Sequence, residues 1–544
     1  MNKNKASSTV ISVLIILVAF TFLAGTVTMY ATNITLTRSQ QEQLRLTKQN
    51  IWVYGDGTAF AAISIENMGG RDVVIDKIQV QGVEVEWSTI YYLRRSTALS
   101  NSLIRPRSTY WFDFEYASGT FKTFTQGSND LLLASGDTMV IYIISPGNIG
   151  VDDLGKSVDI TVFTANAEYS VECTVKSAET IDIYGIAYSG DDDHGFLKTV
   201  EIATNGIITN TIIDSLEFDT VKGKTPCIIH VSDDIYAIAY TGDHDHGFLK
   251  TVRISSNGQI GDVVLDTLEF DAVKGKTPHI IYVSPNIYAI AYSGDRDRGF
   301  LKTVEITRSG QISDTVLDTL EFDAVKGKTP YIIHVSGEIF AIVYSGAGDR
   351  GFLKTVQITA TGQISDTVLD TLNFDAIKGK TPHIIHVSST VYATAYSGNR
   401  DHGFLKTVEI TTDGIIADTV IDTLEFDAVK GKTPRIIHVS NDIYAIAYSG
   451  DGDDGFLKTV EITATGQIND TILDTLEFDA VKGKTPTIIH VSPNVYAIAY
   501  SGDGDHGYLK TVKITSSGQI SDTIIDSLEF DAAKGKTPCV VWSG

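Results

Sequence analysis

The chain has few of the residues on which cross-linked or zinc-built domains depend. Its 544 residues include three cysteines, too few for a disulfide-built scaffold, and no CxxC pair that would indicate a zinc site. Positive charge is also scarce, because 43 Lys and Arg stand against 67 Asp and Glu for a net charge of −24. Proteins that bind DNA or RNA by neutralising phosphates need a basic surface, so the composition argues against a nucleic-acid partner.

The residues that are abundant indicate a β protein. Methionine occurs only 4 times, whereas there are 47 glycines and 24 tyrosines. Glycine-rich turns and strand-forming tyrosine are more typical of β structure than of helical structure. The length is sufficient for two or three domains.

Near the N-terminus lies a long stretch without charge. Residues 7–37 carry no charged side chain, and residues 10–30 form an apolar run of 21. As a helix this run measures about 31 Å, enough to cross a hydrocarbon core of about 30 Å. Lys3 and Lys5 precede it, which favours a cytoplasmic N-terminus and an outward-facing remainder. A secretory signal cut near residues 24–25 is the alternative, but the run is long for one.

The first twenty residues, MNKNKASSTVISVLIILVAF, resemble archaeal type IV pilins and archaellins. In that family a dedicated peptidase cuts before the apolar stretch, which remains as an assembly helix. The resemblance implies a leader at residues 1–6, processing between Ala6 and Ser7, a transmembrane or assembly helix within residues 7–48, and other pilin-like subunits as partners. The glutamate that bacterial pilins carry five residues into this helix is missing here. A plain signal anchor is the alternative.

Residues 49–180 are expected to form a separate domain. Their β-rich runs are separated by turn residues such as GDG and NMGG. Six or more strands in about 130 residues predict a β-sandwich. The segments IENMGGRDVVIDKIQVQG and VDITVFTANAEYSV are similar to the β-domain that follows the helix in archaeal pilin-like proteins. The β-rich runs are residues 59–65, 73–83, 110–116, 139–144 and 158–163.

The rest of the chain repeats a 52-residue unit. The motif Gly-Phe/Tyr-Leu-Lys-Thr-Val occurs seven times at constant spacing. Each period contains four β-rich segments separated by turn residues, which is the content of one propeller blade. The predicted fold class is therefore mainly β: an N-terminal transmembrane helix, a β-sandwich, and a seven-bladed β-propeller over residues 181–544. The repeated glycines are Gly195, Gly247, Gly299, Gly351, Gly403, Gly455 and Gly507.

The phase of the repeats predicts how the propeller closes. The first repeat begins at its second strand, residues 183–189, and the chain ends after a surplus first strand at residues 539–542. The C-terminal strand is therefore expected to complete the first blade. Closure removes the open sheet edges that would otherwise promote aggregation.

One repeated loop contains an aspartate two positions before the motif glycine. The pattern D-x-D-x-G resembles a fragment of a calcium loop, so calcium is a candidate cofactor. The favoured interpretation is a tight turn in which Asp accepts backbone N–H groups and Gly supplies a positive φ. These aspartates are Asp193, Asp245, Asp297, Asp349, Asp401, Asp453 and Asp505.

A second loop reads KGKTP in every copy, but the residue after its proline changes. This residue begins the innermost strand near the channel mouth, so a ring of unlike side chains predicts one asymmetric ligand site. Neutral drift is the alternative. The candidate ligand-binding residues are His279, Tyr331, His383, Arg435 and Thr487. The remaining two copies have Cys227 and Cys539, which belong to adjacent blades and predict a disulfide in an extracellular setting.

Two further repeated positions are expected to pack in the interior. A tyrosine ends each second strand, and a histidine recurs within the innermost strands. The tyrosines are Tyr188, Tyr240, Tyr292, Tyr344, Tyr396, Tyr448 and Tyr500. The histidines are His230, His334, His386, His438 and His490, with Tyr282 and Trp542 in the other copies.

The sequence contains no paired acids or Ser-His-Asp set that would indicate an enzyme. The first functional hypothesis is a surface protein, either a pilin-like subunit or an anchored adhesin, that presents the propeller to an extracellular glycan, protein or small ligand. The second is an extracellular lyase or glycosidase that uses His279, Tyr331, His383 and Arg435. The third is a structural envelope component.

Overall fold

The chain forms two compact units. The computed structural model describes residues 12–29, 41–55, 57–106, 109–117, 120–178 and 180–543. Unit 1 comprises Met1–Arg105 and Thr123–Ser177, and unit 2 comprises Pro106–Lys122 and Ala178–Gly544. Segment 106–122, predicted as part of the β-sandwich, therefore folds with the propeller. The predicted leader and the processing site at Ala6 and Ser7 lie outside the described residues.

The single helix in the described residues is α1 (Ser12–Met29), whose side chains are all exposed. It is long and apolar enough to cross a membrane, a property that signal sequences share. The hydroxyls of Thr21 and Thr26 donate to carbonyls one turn back, which satisfies polar groups that lipid cannot. The predicted helical segment 7–48 extends too far, because residues 44–48 already belong to the first strand. There Leu44 is buried and its neighbour Arg45 exposed, the period-two pattern of a strand.

The strands that precede the propeller are short to medium in length, and two 3-10 turns (Trp87–Thr89 and Val151–Asp153) lie among them. They are β1 (Leu44–Val53), β2 (Ala59–Asn67), β3 (Val73–Val80), β4 (Val83–Glu84), β5 (Ile90–Arg95), β6 (Phe114–Ala117), β7 (Thr120–Lys122), β8 (Thr125–Gln126), β9 (Leu131–Leu133), β10 (Thr138–Ile144), β11 (Ser157–Thr164) and β12 (Glu168–Ser177).

Ten of these strands form the β-domain of unit 1. Hydrogen bonds join them in the order β4-β3-β11-β12-β1-β2-β10-β5-β8, with β9 beside β3. Ile63, Ile75, Ile141 and Ile160, from β2, β3, β10 and β11, are fully buried in one shared core. The sheet therefore folds over a single core, as expected for a sandwich. Strands β6 and β7 pair with each other within segment 106–122 of unit 2.

The propeller strands repeat with the same period as the sequence. Those of the first three repeats are β13 (Ile181–Ser189), β14 (Gly195–Ala203), β15 (Asp214–Asp219), β16 (Lys224–Ser232), β17 (Ile235–Thr241), β18 (Gly247–Arg253), β19 (Asp266–Asp271), β20 (Lys276–Ser284), β21 (Ile287–Ser293), β22 (Gly299–Glu305), β23 (Asp318–Asp323) and β24 (Lys328–Ser336). Those that follow are β25 (Ile339–Ser345), β26 (Gly351–Gln357), β27 (Asp370–Asp375), β28 (Lys380–Ser388), β29 (Val391–Ser397), β30 (Gly403–Glu409), β31 (Asp422–Asp427), β32 (Lys432–Ser440), β33 (Ile443–Ser449), β34 (Gly455–Glu461), β35 (Asp474–Asp479), β36 (Lys484–Ser492), β37 (Val495–Ser501), β38 (Gly507–Lys513), β39 (Asp526–Asp531) and β40 (Lys536–Trp542).

Seven four-stranded sheets make a closed propeller. Six are consecutive, from β16–β19 to β36–β39, and the remaining blade has the order β40-β13-β14-β15. In that blade β40 pairs antiparallel with β13, so that Tyr184 lies opposite Trp542 and Ile186 opposite Val540. The innermost strand β40 also lies beside both β36 and β16. The predicted closure by the C-terminal strand is confirmed.

Blades stack through unlike faces of their second strands. In β17 the bulky side chains Tyr236, Ile238 and Tyr240 pack against the preceding blade, where Ala187 and Leu197 belong to the same core cluster. The opposite face of β17 presents Ala237 and Ala239 to Tyr288 and Tyr292 of the next blade. Small residues thus accommodate large ones at each interface, and all seven strand-ending tyrosines are fully buried, as predicted.

A charged contact crosses each blade interface. Asp219, which ends the fourth strand of one blade, accepts hydrogen bonds from Tyr240 (2.6 Å) and Lys250 (2.9 Å) of the next. Burial opposes ionisation of the carboxyl, but these hydrogen bonds, together with those from the backbone N–H groups of Val221 and Lys222, outweigh it and lower the pKa of Asp219. We call this contact the Asp–Tyr–Lys junction. Its other copies join Asp271, Tyr292 and Lys302; Asp323, Tyr344 and Lys354; Asp375, Tyr396 and Lys406; Asp427, Tyr448 and Lys458; Asp479, Tyr500 and Lys510; and Asp531, Tyr188 and Lys198.

The junction tyrosines should contribute measurably to stability. Tyr292→Phe leaves Asp271 with one hydrogen-bond donor fewer in a buried site, so we expect a loss of about 1–3 kcal/mol in unfolding free energy. Tyr508→Phe is the matched control. It also removes one hydroxyl, and six blades already have phenylalanine at this position, so its effect should stay within about 0.5 kcal/mol. Thermal unfolding of both variants measures the difference, and equal effects would contradict the assigned role.

Candidate functional site

The loop aspartates are paired with the lysines of the KGKTP loops. The Asp193 carboxylate lies 3.0 Å from the Lys224 ammonium and 3.6 Å from that of Lys536. These pairs are about one third exposed, so each contributes little to stability. Every one of the seven aspartates has such a partner; the other pairs are Asp245–Lys276, Asp297–Lys328, Asp349–Lys380, Asp401–Lys380, Asp453–Lys432 and Asp505–Lys484.

In the turn of this loop, the residues with a positive φ are not the one that the sequence predicted. Asp192 and Asp193 have φ values of 50° and 64°, whereas Gly195 is not among the residues with positive φ. Glycine is needed at 195 for close packing, because a Cβ there would lie 2.3 Å from the Phe218 ring. The backbone of Gly223 approaches from the other side, and a Cβ on it would lie 2.3 Å from the Gly195 Cα.

The carboxylates of these loops are the candidate calcium ligands. Across the described parts of the chain, no group of three or more His, Cys, Asp or Glu side chains is arranged to hold a metal ion. Each loop carboxylate faces a lysine instead of further oxygen ligands, and calcium requires six to eight oxygens. Calcium binding at the loop aspartates stays an untested prediction.

The seven variable residues that follow the KGKTP prolines do come together. Each is the fourth residue of an innermost strand, and these strands lie side by side around the centre of the propeller. The ring centroids of His279 and Tyr331 are 3.7 Å apart, and those of Tyr331 and His383 are 4.2 Å apart. The Arg435 guanidinium carbon lies 5.8 Å from the Tyr331 centroid. We call this set the central ring; its members are Cys227, His279, Tyr331, His383, Arg435, Thr487 and Cys539, all half-buried.

The histidines of the central ring are held neutral. Burial, together with the positive charge of Arg435, lowers the pKa of His279 to about 3 and lowers that of His383 well below its usual value. The Nδ1 atoms of His279 and His383 accept hydrogen bonds of 3.4 Å from the backbone N–H groups of Ile332 and Ile436. Their protons therefore sit on Nε2.

The two cysteines of the central ring are in contact, as their equivalent positions in adjacent blades predict. A hydrogen bond links their thiols: it raises the pKa of Cys227 and lowers that of Cys539 to about 7. Both are free thiols in this structure. The disulfide stays a prediction, and it would join the closing strand β40 to β16.

Segment 106–122 covers the other end of the innermost strands. The Phe112 ring stacks on His386 with centroids 4.0 Å apart, Tyr110 lies 5.4 Å from His438, and Phe121 lies 5.7 Å from Tyr282. We call the set that it faces the second ring, which comprises His230, Tyr282, His334, His386, His438, His490 and Trp542. The sequence predicted that these histidines pack in the interior, and their contacts agree with this. It did not predict that segment 106–122 packs against them.

Two carboxylates of the segment pair with histidines of the second ring. Asp113 lies 3.1 Å from His334, and Glu115 lies 3.3 Å from His230. Burial opposes protonation of these imidazoles, but the carboxylates outweigh it and raise the pKa of both. His386 and His438 lack such a partner among the described residues, and burial lowers the pKa of each to about 4.

One further feature of the KGKTP loops was missed from the sequence. An aliphatic residue that precedes the first lysine of each loop is exposed by 55–65% of its surface in six blades. The repeated pattern D-A-V-K-G-K in a turn was the available signal. These residues are Val221, Val273, Val325, Ile377, Val429 and Val481, with Ala533 in the seventh blade.

The Glu115–His230 pair should make attachment of segment 106–122 depend on pH. Because the pKa of His230 is raised in the folded chain, the pair contributes fully below about pH 6.5, and the contribution is lost as pH rises through the folded value. Glu115→Gln should therefore cost about 1–3 kcal/mol at pH 6 and less at pH 9, measured by thermal unfolding.

Glu269→Gln is the matched control for this prediction, because Glu269 pairs with His246 at a more exposed site. Its effect should stay within about 0.5 kcal/mol at both pH values. An equal loss at pH 6 and pH 9 for Glu115→Gln would contradict a charged pair.

Comparison with solved structures finds matches of low identity and low TM-score. No protein family and no curated protein matches the chain. A protein assigned as a 6-phosphogluconolactonase from Bacteroides uniformis is 12% identical, with a TM-score of 0.48 over 67% of this chain and 99% of that one. A quinonprotein alcohol dehydrogenase-like protein from Bacteroides thetaiotaomicron is 8% identical, with a TM-score of 0.38 over 86% and 95%. AofleA from Arthrobotrys oligospora is 11% identical, with a TM-score of 0.35 over 58% and 89%.

At these scores the similarities carry no information on function. From its own structure, the chain is a mainly β protein with an N-terminal apolar helix and a seven-bladed β-propeller of 52-residue repeats.

Proposed function

We propose that this chain is a membrane-anchored, pilin-like surface protein whose propeller binds an extracellular glycan or protein ligand at the central ring. The observation that carries the proposal is the chemistry of that ring. The prolines before it are identical in all seven blades, whereas the ring itself combines two thiols, two imidazoles, a phenol, a guanidinium and a hydroxyl. A few unlike polar groups that converge in a concave place are typical of ligand sites.

Accessibility supports the central ring over the second ring. Segment 106–122 contacts five of the seven residues of the second ring, so that end of the innermost strands is covered. The residues of the central ring are half-buried and retain access to solvent. The KGKTP loops that lead into it also expose the aliphatic residues described above.

Protonation states favour binding over catalysis. A general base works best with a pKa near the working pH, but the pKa of His279 is lowered to about 3 and that of Tyr331 is raised by burial. An extracellular lyase or glycosidase that uses these residues therefore ranks second. A structural envelope component without a ligand ranks third, because it gives no role to an asymmetric ring.

Helix α1 supports the anchoring part of the proposal. Its 18 residues measure about 27 Å and leave no side chain buried against the rest of the chain. The basic residues before it favour an outward-facing propeller, and the pilin-like start of the chain favours assembly with related subunits.

Processing can be tested on protein purified from its native membranes. Pilin-type cleavage predicts a mature N-terminus at Ser7, read from the intact mass and from N-terminal sequencing. A start at Met1 would leave a simple anchor and remove the pilin-like part of the proposal. A start beyond residue 24 would mean a secreted protein and remove the anchor as well.

Ligand binding can be tested by screening the full-length protein in detergent on glycan and peptide arrays. The double variant His279→Ala, His383→Ala should weaken the strongest interaction found by about tenfold or more, since it removes two groups of the ring. His244→Ala is the matched control, because this imidazole is 79% exposed on a loop and lies outside the ring. Equal binding by the wild type and the double variant would contradict a site at the central ring.

A further inference from the structure

Arg435 is a cation without a protein counter-charge. In the parts of the chain that the structure describes, its guanidinium makes no ion pair and no hydrogen bond, and its recorded contact is with the face of Tyr331. Lys432, three residues earlier, is paired, since its ammonium lies 3.0 Å from Asp453. Arg435 differs in this from Lys432 of the same strand.

Leaving a half-buried guanidinium unpaired has a physical cost. Partial removal from water weakens its hydration, and the loss is recovered only when an opposite charge or acceptors take the place of water. The planar fork of arginine fits a carboxylate or another oxoanion, often through two parallel hydrogen bonds. Stacking against Tyr331 orients the fork but supplies no negative charge.

The neighbours of Arg435 are donors. The imidazoles of His279 and His383 use Nδ1 to accept backbone N–H groups, so each presents an Nε2–H. Both are neutral near pH 7, because burial and Arg435 lower their pKa values. The phenol of Tyr331 also keeps its proton, since burial raises its pKa. This part of the ring thus offers one positive charge and several N–H or O–H groups, which suits an anionic group with several acceptor atoms.

We propose that the central ring binds a single carboxylate or other oxoanion group of its ligand, held by Arg435 and by the Nε2–H groups of His279 and His383. The inference rests on the proposed ligand-binding function and names the chemistry that the ligand must carry. A carboxylate and a phosphate share this chemistry, and the experiment below separates them.

When ionised, the thiol pair of the central ring competes with a bound anion for the positive charge of Arg435. The hydrogen bond from Cys227, together with the charge of Arg435, lowers the pKa of Cys539 to about 7. Above pH 7 a thiolate at Cys539 would offset the charge of Arg435, so anion binding should weaken as pH rises. Replacing both cysteines with serine should remove this dependence and tighten binding at pH 8.

The test uses the full-length protein in detergent and three probes: glucuronate, glucose 6-phosphate and uncharged glucose. Titration calorimetry at pH 6.5 should show one of the two anions binding at least about tenfold more tightly than glucose, because hydrogen bonds to charged groups are the strong ones. Which anion binds decides between a carboxylate and a phosphate. The small anion of the same class, acetate for glucuronate or inorganic phosphate for glucose 6-phosphate, should compete with the preferred probe.

Variants of Arg435 give the decisive comparison. Arg435→Gln should weaken anion binding roughly 10- to 100-fold, and Arg435→Lys should retain part of it. Arg253→Gln is the matched control, because this surface arginine pairs with Asp234 outside the ring, and it should leave binding unchanged. The proposal is overturned if no oxoanion binds at millimolar concentration, or if Arg435→Gln binds as the wild type does.

Failure of this inference can be told from failure of the proposed function. A ligand from the array screen that depends on His279 and His383 but not on Arg435 would overturn the anion inference and leave the function standing. An oxoanion that requires Arg435, together with an array ligand indifferent to every ring variant, would overturn the function and leave the anion site standing.

Discussion

A carboxylate at the end of each outermost strand holds the propeller together. Asp219 and its equivalents reach across to the next blade, where a tyrosine hydroxyl and a lysine ammonium donate to them. A buried ion pair alone would gain little after desolvation, but here the hydrogen bonds satisfy the carboxylate and fix its direction. The apolar faces give the blades their affinity for one another, and the junction sets the position in which they stack.

The same junction operates where the ends of the propeller meet. Asp531 contacts Tyr188 and Lys198, although more than 300 residues separate them in sequence. Beside it, the Thr511 hydroxyl donates to the Gly206 carbonyl, as its equivalents do at the other interfaces. The closing interface is thus chemically one of seven equal interfaces. Because the interfaces between blades are equivalent, substitutions at the central ring change the side chains of the site without changing the backbone that carries them.

The sequence predicted the propeller well because seven copies repeat the same local pattern. Strand number, phase and closure follow from that repetition, and α1 follows from its apolar length. Segment 106–122 was assigned to the β-sandwich but belongs to unit 2, because the alternation around Tyr110 suits either unit. The role of Gly195 was mistaken because one residue type serves both positive φ and close packing. The position of Arg435 was predicted, but its lack of a partner depends on the side chains of other blades.

Segment 106–122 also gives the propeller a rotational reference. Near-identical blades offer seven almost equivalent orientations about the central axis, and the repeats alone do not distinguish them. The segment removes this degeneracy, because Phe121 meets Tyr282 while Asp113 and Glu115 meet His334 and His230. It also precedes every blade in the chain, so during synthesis it is made first and is present as each inner strand arrives. Arg435 consequently lies at a fixed angular position relative to segment 106–122.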